Sequence, residues 1–459
     1  MLKKTSFATL FLLVLATLFL VQCNSNSNQV HEESGVVKSE SKATEINFIG
    51  QWLNEGIRED LVRNIARSYE FQHQDIHINL KFPEEIYYKR EDMYSNQKFV
   101  AGEVVKEVGF WDIIRINGEF ETIAEKANDQ QWAKKYLVDF STMPEYVQHT
   151  MPTLLTDSVK KRWNGILPGP FVEGSFWAFW VNSNVAKKLG IEVKQFGMTF
   201  DDFERYIEAV YNYNKKNPND HITAIFEAGD WPTIHAFVAQ LFATVLNDDA
   251  EFFTTSRSEK KLQAWHKTLK LLERLVKYEP ISRDWKQVGW AKTTQDMLDE
   301  KYLFYSNGSW MYNIWQQKDD KKVSNCYPAE YPSLNEAKTY QSAYVIMWAV
   351  PKNAPHKEEA IKFLISLNQP SFADMWVRYT KCPTGITGSL TGVNFGADKI
   401  ENFSYYIQNK FGTHTFLQED ANSKFFGVAN AKVQDYIHEV LLGDMTADEA
   451  MRKIRNQLH

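Results

Sequence analysis

Residues 165–191, GILPGPFVEGSFWAFWVNSNVAKKLGI, constrain the fold more than any other stretch of this chain. Gly165, Pro168, Gly169 and Pro170 come first, and neither a helix interior nor a central strand accommodates that density of Gly and Pro. Residues 176–181, FWAFWV, are then apolar throughout, in the composition and length of a buried strand. Residues 185–189 read as a short helix, which Asn182 or Ser183 can cap and Gly190 closes. A loop with one carboxylate, Glu173, therefore feeds a buried aromatic strand well inside the chain. A crossing between two lobes is expected there.

The N-terminus bears on the compartment. Lys3 and Lys4 precede an uncharged apolar run over residues 7–21. That run is short for a membrane span and suits the core of a signal peptide. Leu20-Val21-Gln22-Cys23 then resembles a bacterial lipoprotein box, and residues 24–44 are polar and rich in Ser and Asn. The expectation is a signal peptide over 1–22, a lipidated Cys23 and a flexible tether over 23–44. Acyl chains on Cys23 would hold the protein to a membrane at roughly 0.8 kcal/mol per buried CH₂. The location implied is extracytoplasmic and membrane-anchored, in a periplasm or at the cell surface.

The rest of the chain is long enough for two lobes with a core each. A net charge of −6 with no basic block argues against a nucleic-acid partner. Of three cysteines, Cys326 and Cys382 remain once Cys23 is lipidated; they show no C-x-x-C or zinc spacing and are expected to be free. Motifs for a catalytic serine elbow, a P-loop, a zinc protease or a dinucleotide fold are absent from the sequence. His73 and His77 are four apart, but residues 76–80 alternate as a strand, so no metal or other cofactor is expected. Carboxylates are numerous enough for two of them to flank a glycosidic bond, and a glycoside-processing enzyme stays open as an alternative.

Residues 45–53 read as a strand, and Ile57, Leu61, Ile65 and Tyr69 recur at helical spacing. Ile76, Ile78 and Leu80 alternate as a second strand, and residues 110–116 read as a third. Strand, helix, strand opens a parallel α/β sheet. Ligands of such sheets sit beyond the carboxyl ends of strands, which makes Trp52, Asn117 and Glu119 candidates. Fourteen Trp, 21 Tyr and 30 Phe supply many ring faces. Most are expected in the core, Trp177, Trp180 and Trp348 among them. Trp52, Trp231 and Trp310 stand instead at predicted loops or strand ends, where a ring can be half exposed. A sugar presents a C–H face and a hydroxyl rim, and an aromatic platform beside carboxylates and amides matches both.

The order FWAFWVNSNVAKKLGI, then MLDEKYLFYSNGSW, then YVIMWAVPKNAP resembles the extracellular solute-binding proteins of family 1, the maltose-binding-protein-like group. The resemblance implies a two-lobed α/β fold of the periplasmic-binding-protein type (class II) with three interlobe crossings, near residues 171–174, 304–307 and 341–346. Lobe one would hold 45–172 and 305–344, and lobe two 173–304 and 345–459. The implied protein is not an enzyme. It is a monomeric substrate-binding lipoprotein of an ABC importer, which captures a carbohydrate in the interlobe cleft, closes by hinge motion and delivers to a membrane permease. Trp52, Asn117, Glu119, Glu173, Trp231, Asn307, Trp310 and Gln341 would contact the ligand. A different polar solute, or a structural lipoprotein without a small ligand, are further alternatives.

Overall fold

Ile46, Phe48 and Ile49 turn inward from TEINFI to make strand β1 (Thr44–Ile49). Glu59 and Asp60 favour the first turn of helix α1 (Ile57–Gln72), where acidic side chains meet the positive end of the helix dipole. Leu61, Val62, Ala66 and Tyr69 of α1 are buried, and β2 (Ile76–Lys81) returns parallel to β1 in register from Thr44–Ile76 to Ile49–Lys81. The computed structural model describes residues 43–53, 55–82, 111–116, 131–254, 258–387, 398–411, 415–416 and 431–456. Cys23, Asn117 and Glu119, and with them the expected signal peptide and tether, lie outside the described residues.

The further strands are β3 (Ile114–Arg115), β4 (Glu173–Asn182), β5 (Thr223–Phe226), β6 (Tyr302–Gly308), β7 (Cys326–Ala329), β8 (Tyr340–Val345), β9 (Trp348–Ala349) and β10 (Thr415–Phe416). A bridge between Phe48 and Ile113 joins β1 to the segment carrying β3, which pairs antiparallel with β9. The larger sheet runs β10-β8-β4-β6-β5, with β7 also on β4. β4 is the long element: Glu173–Phe176 pairs with β8, and the remainder lies between β6 and β7. Asn182 caps the helix after it by accepting from Asn184 N and Val185 N. Thr199 and Asp202 form a reciprocal capping box at the start of α2 (Phe200–Lys216). Helix α3 (Ile234–Leu246) comes after β5 and is buried along most of its length.

Two hydrophobic cores form. The first draws on residues 46–172 and 344–386, the second on 176–340 and 400–454. Among the described residues the chain passes from one core to the other at 172–176 and at 340–344, and Ile386 and Ile400 stand in different cores. This arrangement is the two-lobed class expected, but the segments divide differently. Residues 305–340 belong to the second core, because β6 is buried along its whole length between β4 and β5. Residues 344–386 belong to the first, to which they give Ile346, Trp348, Phe363 and Trp376. The passage expected near 304–307 is accordingly an interior strand. Cys326 lies in the second core and Cys382 accepts a hydrogen bond from Arg58 of α1; both are buried, and neither is in a disulfide. Among the described residues, no helix is long and apolar enough to cross a membrane.

Candidate functional site

β5 and β6 are parallel neighbours, so their carboxyl ends open on the same side of the sheet. The loop after β5 carries Trp231, and the loop after β6 carries Trp310. The two indoles lie nearly parallel, with centroids 6.3 Å apart and planes 19° apart. Trp177, from β4, meets Trp310 edge-on at 5.2 Å, and Trp290 meets Trp231 edge-on at 5.7 Å. Trp231 is 37 % exposed, a large accessible face for a tryptophan.

Local sequence explains why the rings meet. Trp177 and Gly308 are register partners across β4 and β6, and the Trp310 indole folds back over Gly308. A Cβ at 308 would sit 2.2 Å from that ring, so only glycine leaves room for it. The Trp231 loop is tied at both sides. Gly229 N donates to Val288 O at 2.9 Å, and Asp230 Oδ1 accepts from Trp290 N at 2.8 Å. Below them Glu227 is buried and accepts from Ala228 N, Thr233 N and Ile234 N.

The next residue after Gly308 joins this cluster to the first core. Ser309 N donates to Phe176 O, and the Cys382 thiol donates to Ser309 Oγ at 3.4 Å. Arg58 Nη2, from α1, donates to Cys382 Sγ at 3.0 Å and to Glu173 Oε1 at 2.5 Å. Burial pushes the Glu173 carboxyl up, the Arg58 guanidinium opposes it, and the net shift is to about 7. Burial also pushes the Cys382 thiol up, with Arg58 opposing. In helix α4 (Met311–Lys318), Asn313 Nδ2 donates to Thr380 O, at the end of α5 (Pro370–Thr380).

The eight expected contacts separate on these grounds. Trp231 and Trp310 come together as a platform. Trp52 takes a positive φ of 74° and is buried in the first core against Trp348 and Trp376, with the Arg58 guanidinium over its ring. Glu173 is buried in its ion pair. Asn307 is buried, donating to Tyr305 Oη and accepting from Gly308 N. Gln341 is buried on β8, and its backbone N–H donates to Gln240 Oε1. Asn117 and Glu119 lie outside the described residues. Sequence reasoning left out Arg58, Glu227 and Trp290, and it placed Trp177 in the core without its edge contact to Trp310. A helix-start arginine and a strand-end glutamate carry no local signal of the partners they meet.

The sequence profile of the bacterial extracellular solute-binding proteins matches residues 111–402, more than half of the chain. The chain belongs to that family. Membership implies an extracytoplasmic location and a solute-binding protein. Among solved structures, the chain is similar to apo RafE from Streptococcus pneumoniae, at TM-score 0.63 and 15 % identity over 90 % of this chain and 97 % of that one. It is similar to RafE in complex with raffinose, at TM-score 0.62 and 16 % identity over 90 % and 98 %. It is also similar to the GacH receptor of Streptomyces glaucescens, solved unliganded and with acarbose, at TM-score 0.61 and 14 % identity over 91 % and 97 %. At these identities the likeness is one of fold. No curated protein sequence matches the chain.

Proposed function

We propose that this solute-binding protein captures a carbohydrate between its two lobes and serves an ABC importer, held at the membrane through Cys23. The observation that carries the reading is the Trp231–Trp310 platform, two near-parallel indoles at the carboxyl ends of neighbouring parallel strands. An indole face attracts the C–H face of a sugar, and the polar rim of the site takes its hydroxyls. The raffinose and acarbose bound by the similar structures support an oligosaccharide as the class of ligand.

The paired strands β4 and β8 carry the passages between cores at 172–176 and 340–344 and form the natural hinge. A ligand touching both lobes binds the closed state better and shifts the population toward it. The closed state is then what a permease recognises. Of the described carboxylates on the platform loop, Glu227 is held by three backbone N–H groups and Asp230 accepts from the Trp290 N–H. This supports binding without bond cleavage.

Calorimetry with raffinose, stachyose, maltotriose and xylotriose, followed by chromatography of the sugars, tests the reading. One-to-one binding with unchanged sugar is expected. Release of shorter sugars would replace it with a glycoside-processing enzyme. Failure of every sugar to bind or to raise the melting temperature would remove the carbohydrate assignment.

A further inference from the structure

We propose that Glu227 and His438 are positioning residues for the tryptophan platform, a buried carboxylate–imidazole pair that sets the Trp231 loop from behind. The inference rests on the carbohydrate reading for its affinity arm alone. The loop over residues 227–233 leaves β5 and enters α3. Both ends of that loop are held by one side chain. Glu227 Oε1 accepts from Ala228 N at 3.1 Å and Thr233 N at 2.7 Å, and Oε2 accepts from Ile234 N at 2.9 Å. Thr233, the residue before α3, makes no side-chain cap of its own. The Glu227 carboxylate caps the helix instead, and a negative charge is favoured at a helix start.

The fourth partner comes from far along the chain. His438, on α6 (Ala431–Leu442), places Nε2 3.1 Å from Glu227 Oε2 and Nδ1 2.7 Å from Gln434 O. A carboxylate offers about four acceptor sites, and this one has four partners. The imidazole lies flat on Trp285, with centroids 3.9 Å apart and planes 14° apart. Trp285 begins the turn Trp285–Gln287, and Gly229 of the platform loop rests on that turn so closely that a Cβ there would meet Lys286 O at 2.2 Å. His438 thus reaches the Trp231 loop by two routes, through Glu227 and through Trp285. Neither Glu227 nor His438 is exposed, so neither touches ligand; each acts through the loop.

The test compares the purified protein with Glu227→Gln, His438→Leu and His438→Gln. Glutamine at 438 keeps an N–H for Glu227, and leucine does not. Amide exchange over residues 228–234 is expected to rise about tenfold in Glu227→Gln and His438→Leu, with β4 unchanged, and to return toward wild type in His438→Gln. With raffinose as probe, affinity is expected to fall about tenfold in His438→Leu and to recover in His438→Gln. A helix cap without a positioning role would leave raffinose affinity unmoved while exchange rose, and that outcome overturns the proposal. Unchanged exchange overturns it as well. If wild type binds no raffinose, a sugar of the panel that it does bind serves as probe; if it binds none, the carbohydrate assignment is at fault and the exchange arm decides alone. If Glu227→Gln does not fold, the two His438 variants decide.

Discussion

Arg58 and Glu173 form a buried ion pair, with Nη2 2.5 Å from Oε1, that ties the start of α1 to the first residue of the crossing strand β4. Removing Arg58 leaves the Glu173 carboxyl buried without its counter-charge, so that it must take up a proton or stay charged unpaired, and breaking such a pair costs roughly 3–5 kcal/mol. Arg58→Leu is therefore expected to lower unfolding free energy by about that amount. Arg58→Leu with Glu173→Leu is expected to regain much of it. Urea melts of both proteins check this; equal losses in the single and double variants would mean that the pair is not the source.

Trp231 and Trp310 differ in how much of each ring the protein already uses. Trp231→Ala is expected to weaken sugar binding by about 2 kcal/mol, some 30-fold, while stability changes by less than about 1 kcal/mol. Trp310 packs on Trp177 and over Gly308, so Trp310→Ala is expected to lower both affinity and stability. Calorimetric titrations beside denaturant melts separate the two. Unchanged affinity in Trp231→Ala would move the ligand elsewhere.

Gly308→Ala puts a methyl group where the Trp310 indole lies. The ring must swing off Trp177 or the backbone must shift, and overpacking of this kind costs roughly 1–3 kcal/mol. The expected result is a lower melting temperature together with weaker sugar binding, read on the same protein. A variant with wild-type affinity would show that the ring's position is not what the ligand reads.

His235, on α3, is buried, and neither ring nitrogen has a hydrogen-bond partner among the described residues. Burial, with help from the nearby His438 charge, pushes its pKa down to about 3. Unfolded histidine titrates near 6.5. The unfolded chain thus binds the proton first, and stability from this group is present above about pH 6.5 and is lost as pH falls toward 3. By pH 4 the wild type should lose about 3 kcal/mol more than His235→Leu. Parallel pH–stability curves for the two proteins would count against this account.

Cys23→Ser is expected to move the protein from the membrane fraction to the soluble fraction of cells. Fractionation followed by immunoblotting checks it, and unchanged membrane association would point to another anchor.

Local order was legible in the residues themselves. The 2.0 and 3.6 periodicities set β1, α1 and β2, Thr199 and Asp202 set the start of α2, and the aromatic run at 176–181 set the central strand. Those signals depend on neighbours within a turn or two of the chain. Which core receives a strand does not. The family resemblance of MLDEKYLFYSNGSW implies a crossing at β6, and only the pairing of β6 with β4 and β5 puts it inside the second core. Trp52 and Trp231 look alike in sequence, each a tryptophan in a loop that comes after a strand. Trp348 and Trp376 bury the first, and nothing described covers the second to the same degree. The pairs Arg58–Glu173 and Glu227–His438 join residues far apart in the chain, so tertiary structure alone decides them. Their strength comes from burial, which no local pattern records.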